Sequence, residues 1–291
     1  MRRLHSVSLK LFLITITGIL LSGTASAQLK LFDRNKPYFA KANKWIMEER
    51  IGITGGIGTS TYYGDLCDKF HCMKFRPNLG VGVVFRFKPN WYGKFDLNYF
   101  RLYSNDYWKN RNLNFRSGNV EMYMAAMYEH FPYIKHFNRR KQYSPYVFLG
   151  FGVAFYNPHG ELNGKWHKLR PLKTEGKHYS SATPIIPFGV GLRIKHTKNL
   201  EFVAEAGYRI TFTDYLDDVS SKEFKDPATF DNPTAAALSD KSPGTGEFKA
   251  PQRGNPDKND GYFIFQVKAR YTFSTNIAHF KGRHPKIMRK L

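Results

Sequence analysis

The chain has 291 residues, with 45 Lys plus Arg against 23 Asp plus Glu, a formal net charge of +22 and 16% aromatic residues. This composition excludes a collagen-like or compositionally disordered chain, and beyond the N-terminus no stretch nears the ~18 consecutive apolar residues a spanning helix needs. Cys67 and Cys72 are the only cysteines, too few for a disulfide scaffold and without the further ligands of a structural zinc site.

Residues 1–27 place Arg2, Arg3 and Lys10 before an apolar core from Leu11 to Leu21 and end on Ala25-Ser26-Ala27, the layout of a cleavable secretory signal. Cleavage after Ala27 and export are expected; the alternative is an uncleaved anchor, for which the apolar core is short. In an exported chain Cys67 and Cys72 are a candidate disulfide within one loop, against the alternative of two unpaired buried thiols.

From Arg50 onward the pattern has period two, in segments of about ten residues, which is the pattern of strands with differently solvated faces. A Gly-rich strand is expected near 50–61. Next, Leu79, Val81, Val83, Phe85 and Phe87 share one face, then Phe95, Leu97 and Tyr99 oppose Lys94, Asp96 and Asn98. Near 117–131, Val120, Met122, Met124 and Tyr128 oppose Glu121 and Glu129. Val147 to Phe155, Ile186 to Ile194, Leu200 to Phe212 and Phe263 to Phe273 repeat the alternation, giving eight strands. Their connections alternate in length: 62–77 is long, Lys88-Pro89-Asn90 tight, 104–116 long, 132–143 intermediate, 157–183 long, His196 to Asn199 tight and 214–260 very long. Long loops at one rim and short turns at the other are how outer-membrane barrels are built.

A soluble sandwich or lipocalin would need a polar outer face, so the charge on the second face decides between them. That face carries Arg86, Lys94, Arg193, Lys195, Arg209, Lys268 and Arg270 against Asp96, Glu121, Glu129, Glu201 and Glu205, with many glycines. Mixed charge suits the lumen of an eight-stranded antiparallel transmembrane barrel, which has room only for its own side chains and is no open pore. The apolar faces end in Trp91, Tyr99, Tyr103, Tyr128, Tyr208, Tyr271 and Phe273, aromatics suited to the membrane interface. The expected organisation is a signal peptide at 1–27, a periplasmic segment at 28–49, the barrel at 50–273 with a mobile loop at 214–260, and a basic periplasmic tail at 274–291.

Chemical sites are few. Asp214, Asp217 and Asp218 offer oxygen ligands for calcium, but their spacing fits no complete calcium loop and a polar rim is the plainer reading. Gly55-Gly56-Ile57-Gly58-Thr59 lacks the Lys-Ser/Thr ending of a phosphate loop and lies inside a strand. No spacing proposes a catalytic triad, and no catalytic residue, cofactor or metal is expected. The basic charge divides by side: segments 28–50, 132–143 and 274–291 sum to +3, +4 and +5, whereas 214–260 has six bases against ten acids. Lys135, Arg139, Arg140, Lys141, Lys286, Arg289 and Lys290 thus mark a cationic inner rim, a contact either for anionic lipid headgroups or for a complementary periplasmic protein. Export excludes nucleic acid as a partner.

Three stretches carry a family resemblance: Tyr62-Tyr63-Gly64-Asp65-Leu66, residues 166–176 with Trp166, Pro171 and Glu175, and residues 211–220 with Asp214, Asp217 and Asp218. With Pro145-Tyr146-Val147-Phe148 and Ile186-Pro187-Phe188-Gly189-Val190-Gly191, they make residues 50–273 resemble the PorG-like outer-membrane barrels of Bacteroidetes. The resemblance implies a component of the type IX secretion system, associated with a periplasmic ring of a lipoprotein and its soluble partner, and supporting gliding motility in gliding species. It implies no catalytic residues. The tail beyond Phe273 departs from a barrel that ends at its terminal aromatic. The leading expectation is therefore a non-enzymatic anchoring barrel set in outer-membrane lipids; the alternatives are a surface-interaction barrel using loop 214–260 and an outer-membrane hydrolase.

Overall fold

A computed structural model of the chain describes residues 48–106, 111–242 and 252–274. The signal segment, nearly all of the periplasmic segment and the basic tail, with Lys286, Arg289 and Lys290, lie outside the described residues.

Eight long antiparallel strands form the wall: β1 (Glu48–Tyr63), β2 (Arg76–Arg86), β3 (Trp91–Asn105), β4 (Asn114–Glu129), β5 (Tyr143–Phe155), β8 (Ala182–Lys195), β9 (Leu200–Thr211) and β10 (Gly261–Ser274). Each pairs with the next, and β1 pairs with β10 through a register that sets Ile57 opposite Val267, so the sheet closes into a barrel. Every wall strand has at least the ~9–11 residues that cross a bilayer when tilted. The expected strands near 50–61 and 117–131 are longer or displaced, because pairing with neighbours extends strands past the alternating segment.

Loop 157–183 is not wholly irregular. It contains a hairpin of β6 (Pro158–Leu162) and β7 (Lys165–Lys168), joined to the outer end of β4 through Arg116 and His159, and a short helix α1 (Leu169–Leu172). Loop 214–260 contains a second helix, α2 (Pro233–Ser239), with Pro233 at its first turn and the Asn232 side chain accepting the Thr234 N–H. Neither segment has the periodicity that would reveal it beforehand.

The wall is inverted relative to a soluble protein. Ile57, Leu149 and Phe151 are 73%, 61% and 65% exposed on the outer face, amid a continuous belt from all eight strands. The described residues contain no helix long and apolar enough to span a membrane, but a closed barrel crosses with strands. An apolar belt of this extent is stable against hydrocarbon and not against water. Aromatic pairs border it: Trp91 with Tyr128 and Tyr271 with Phe273 at the short-turn rim, and Tyr208 with Phe263 at the long-loop rim. The protein is an eight-stranded outer-membrane barrel, with short turns at one rim and long loops at the other.

Closure depends on close backbone approach at the β1–β10 seam. A Cβ on Gly58 would lie 1.8 Å from the Phe265 carbonyl oxygen, whereas one on Gly55 would meet nothing within 4 Å. Gly58→Val is expected to abolish the shift between unboiled and boiled samples in gel electrophoresis, and Gly55→Val to keep it. Equal behaviour of the two variants would contradict this seam.

Candidate functional site

The lumen is filled by stacked layers of charge. At the short-turn end Arg193 bridges Glu129 at 2.8 Å and Glu201 at 2.7 Å, with Arg270 3.7 Å from each acid. At mid-height Lys94 lies 2.8 Å from Glu205 and 3.2 Å from Asp96, and Lys268 lies 3.0 Å from Asp96 and 3.5 Å from Glu205. Tyr146 donates to Glu205 and Tyr123 to Asp96, both at 2.8 Å. Toward the long loops Arg209 pairs with Glu121 at 3.0 Å, and Asn98 and Tyr262 also donate to Glu121. Five bases thus meet five acids, as a buried set must when each isolated charge would cost several kcal/mol.

Two residues assigned to this face, Arg86 and Lys195, sit instead at the short-turn rim and are half-buried. The Arg86 guanidinium lies 3.3 Å from the Tyr133 ring centroid, and Lys195 donates to the Phe137 and Arg140 carbonyls. Their strands end there, so turn 130–142 rather than a lumen acid receives them.

The rest of that rim is tied down by backbone bonds. Asn90 accepts the Glu129 N–H and Pro89 the Tyr133 N–H, both at 2.8 Å. Among the candidate docking residues, Lys135, Arg139 and Lys141 are exposed, but Arg140 is buried. It donates to the Ile134 carbonyl at 2.7 Å and the Lys198 carbonyl at 3.4 Å and lies over the Tyr133 ring, so it joins two turns rather than presenting charge.

At the opposite rim the resembling loop stretches meet in one buried network. Tyr62 donates to Asp217 at 2.6 Å and to Asp260 at 2.5 Å. Asp65 accepts the Asn255 N–H at 2.6 Å, and Glu175 accepts the Ser220 N–H at 2.9 Å. Asp218 accepts from Tyr179 at 2.5 Å and from Thr174. Arg253, 2% exposed, pairs with Glu175 and donates to the Ser239 and Asp218 carbonyls. Gly64 is required by close approach, since a Cβ there would strike Asp260 and the Tyr62 hydroxyl. Cys67 and Cys72 are bridged in the first of these loops.

Over its described parts, 214–260 packs as a cap, in which a buried Arg–Glu pair joins residues 252–260 to loop 157–181. Arg253 and Arg111, which donates to the Asp65 carbonyl at 2.8 Å, were not singled out in the sequence; they stand in irregular segments where no period marks a buried side. Asp214, Asp217 and Asp218 form no calcium site: among the described residues no group of three or more His, Cys, Asp or Glu is arranged to hold a metal ion. Of the other motif residues, Tyr63 packs edge-on to Tyr208, Trp166 lies on the outer hairpin and Pro171 is exposed on α1.

Residues 40–233 match the family described as Domain of unknown function (DUF6089). The chain belongs to that family. No curated protein matches it. Among solved structures, it is similar to Neisserial surface protein A (12% identity, 77% of this chain and 97% of that chain, TM-score 0.39). It is also similar to the outer membrane protein OprG from Pseudomonas aeruginosa (11%, 79% and 99%, 0.42) and to the attachment invasion locus protein Ail of Yersinia pestis (12%, 78% and 100%, 0.37). The membrane placement of this DUF6089 member rests on its own belt and closed sheet, not on these likenesses.

The cap carries its own pH dependence. Asp214 is buried, and neither carboxylate oxygen has a hydrogen-bond partner among the described residues; Ser220 lies beside it without completing one. Burial, with Asp65 and Asp217 nearby, pushes its carboxyl up to about 9. Burial likewise raises Asp217 and Asp260, each reinforced by neighbouring carboxylates, and Asp218 to about 6 against the Arg253 charge. A folded cap that holds protons the unfolded loop releases is most stable at low pH and loses stability from about pH 4 to about pH 9. Hydrogen exchange of amides 214–220, corrected for intrinsic rates, should show more opening at pH 8 than at pH 5, and Asp214→Asn should shrink the difference. A pH-independent cap would contradict this.

Proposed function

We propose that this protein is a non-enzymatic anchoring barrel of the type IX protein secretion system, which holds a periplasmic ring of a lipoprotein and its soluble partner against the outer membrane. One observation carries the reading. The three described periplasmic turns, 87–90, 130–142 and 196–199, hold six Lys or Arg and no Asp or Glu. Five of the six, all but the buried Arg140, are exposed, while the lumen acids above them are engaged by lumen bases, so this rim presents positive charge to an acidic surface in the periplasm. A plugged lumen also directs function to the rims, and the loop stretches that resemble PorG-like barrels supply the kind of apparatus.

Anionic lipid headgroups are the competing contact, at about 1 kcal/mol per basic residue and redundant for an integral barrel. The experiment replaces the exposed Arg139 and Lys141, together with Lys286, Arg289 and Lys290, by Gln, leaving the structural Arg140 in place. The variant should insert normally, recover severalfold less ring protein at low ionic strength and secrete less cargo. Normal recovery and secretion would refute the docking role.

A surface-interaction role is the second reading, favoured by the fixed cap that α1, α2 and β6 build over the long-loop rim. It predicts that deleting 226–251, which spares Arg253, abolishes function while the basic substitutions change nothing.

A further inference from the structure

Three arginines stand on the outside of the barrel wall near the long-loop rim. Arg101 on β3 and Arg116 on β4 point outward with Tyr99 and Tyr103, in a register that pairs Arg101 with Gly118 and Tyr103 with Arg116. Arg76 begins the neighbouring β2, its guanidinium 4.3 Å from the Tyr103 ring centroid. Arg116 lies 4.2 Å over the Trp166 ring of the β6–β7 hairpin, and Arg101 donates to the Tyr99 hydroxyl at 3.3 Å. With His159 these residues line a cleft of about 630 Å³ that no Asp or Glu enters.

These arginines differ from the charged groups that fill the lumen and the cap. The lumen bases are matched by lumen acids, and Arg253 and Arg111 by cap acids. Arg76, Arg101 and Arg116 have no ion-pair partner among the described residues, although like charges clustered on one face repel. Below them the wall turns apolar without a break, through Pro77 and Tyr99 to Leu79, Val81, Leu97 and Val120. Arg76 and Arg116 thus sit over the Tyr103 and Trp166 rings, a contact that leaves a guanidinium with N–H groups to offer an oxyanion, and Arg is the side chain whose fork matches phosphate. The omission of a Cβ at Gly118, where it would come 3.1 Å from the Tyr99 hydroxyl, keeps the cleft floor open.

We propose that this cleft binds the phosphorylated headgroup of a membrane lipid in the leaflet beside the long-loop rim, with the lipid's acyl chains lying along the apolar belt beneath. The cleft faces sideways off the wall, at the border between the belt and the loops, where a bilayer puts its headgroups. A free phosphate compound would find the same cations but no use for the apolar wall below.

The test uses the full chain, purified in detergent and stripped of co-purified lipid, and follows binding by native mass spectrometry. The probes are bis-phosphorylated lipid A, the same lipid without phosphates, and inorganic pyrophosphate. The phosphorylated lipid should bind at least about tenfold tighter than either other probe, and R76Q/R101Q/R116Q should lose about tenfold for it alone. The control K165Q/K168Q/K177Q, exposed bases of the same rim that stand outside the cleft, should lose less than about twofold. If the triple variant fails to show the heat-modifiable shift, Arg101→Gln, on the open wall, should lose about threefold. Unchanged binding in the folded arginine variants, an equal loss in the control, or equal affinity for the dephosphorylated lipid would overturn the site. Pyrophosphate binding as tightly as the lipid would overturn the lipid as its ligand.

Discussion

Hydrocarbon offers no hydrogen bonds, so a sheet that crosses it must pair every strand edge with another. This chain meets that requirement by returning β10 to β1, and the rest of the molecule follows. Closing after eight strands leaves an interior only wide enough for side chains. Every second residue of each strand must therefore fit there, while its neighbours meet lipid. The glycines at the seam and the layers of ion pairs are two answers to one shortage of space.

The lumen charges are instructive because burying charge is seldom favourable in itself. Removing one partner of a buried pair typically costs about 3–5 kcal/mol, because the other is left without compensation. Here most charges have two partners: Arg193 holds two glutamates, and Lys94 and Lys268 share Asp96 and Glu205. Such sharing couples five of the eight wall strands across the lumen, since these groups come from β3, β4, β8, β9 and β10. The rims are left to differ. The short turns are basic and fastened by backbone hydrogen bonds, whereas the long loops bury acids and form a cap around Tyr62 and Arg253.

Most of the wall was legible in the sequence because its physics is local in the chain. A period of two puts Phe95, Leu97 and Tyr99 on one face and Lys94, Asp96 and Asn98 on the other, whatever the partner strands are. The lumen acids and five of the seven bases were identified this way. Arg86 and Lys195 were misplaced because periodicity gives a face and not a depth, and both lie where their strands leave the lumen. The cap was legible only as separate loop stretches. That Asp65, Glu175 and Asp218 come together depends on Arg253, which stands in a Gly- and Pro-rich segment without a pattern. The outward arginines are hidden for a related reason: Arg101 and Arg116 each interrupt an apolar face singly, Arg76 has the parity of Asn78 and Gly80 rather than of Leu79, and only the folded structure brings the three to one cleft.

An internally paired lumen closes the barrel to bulk passage, and single-channel recording in planar lipid bilayers tests this most directly. Full-length protein reconstituted from detergent should insert without steady conductance steps of porin size, at either polarity. Reproducible porin-sized steps from folded, heat-modifiable protein would mean that the charges do not fill the lumen and would contradict the account.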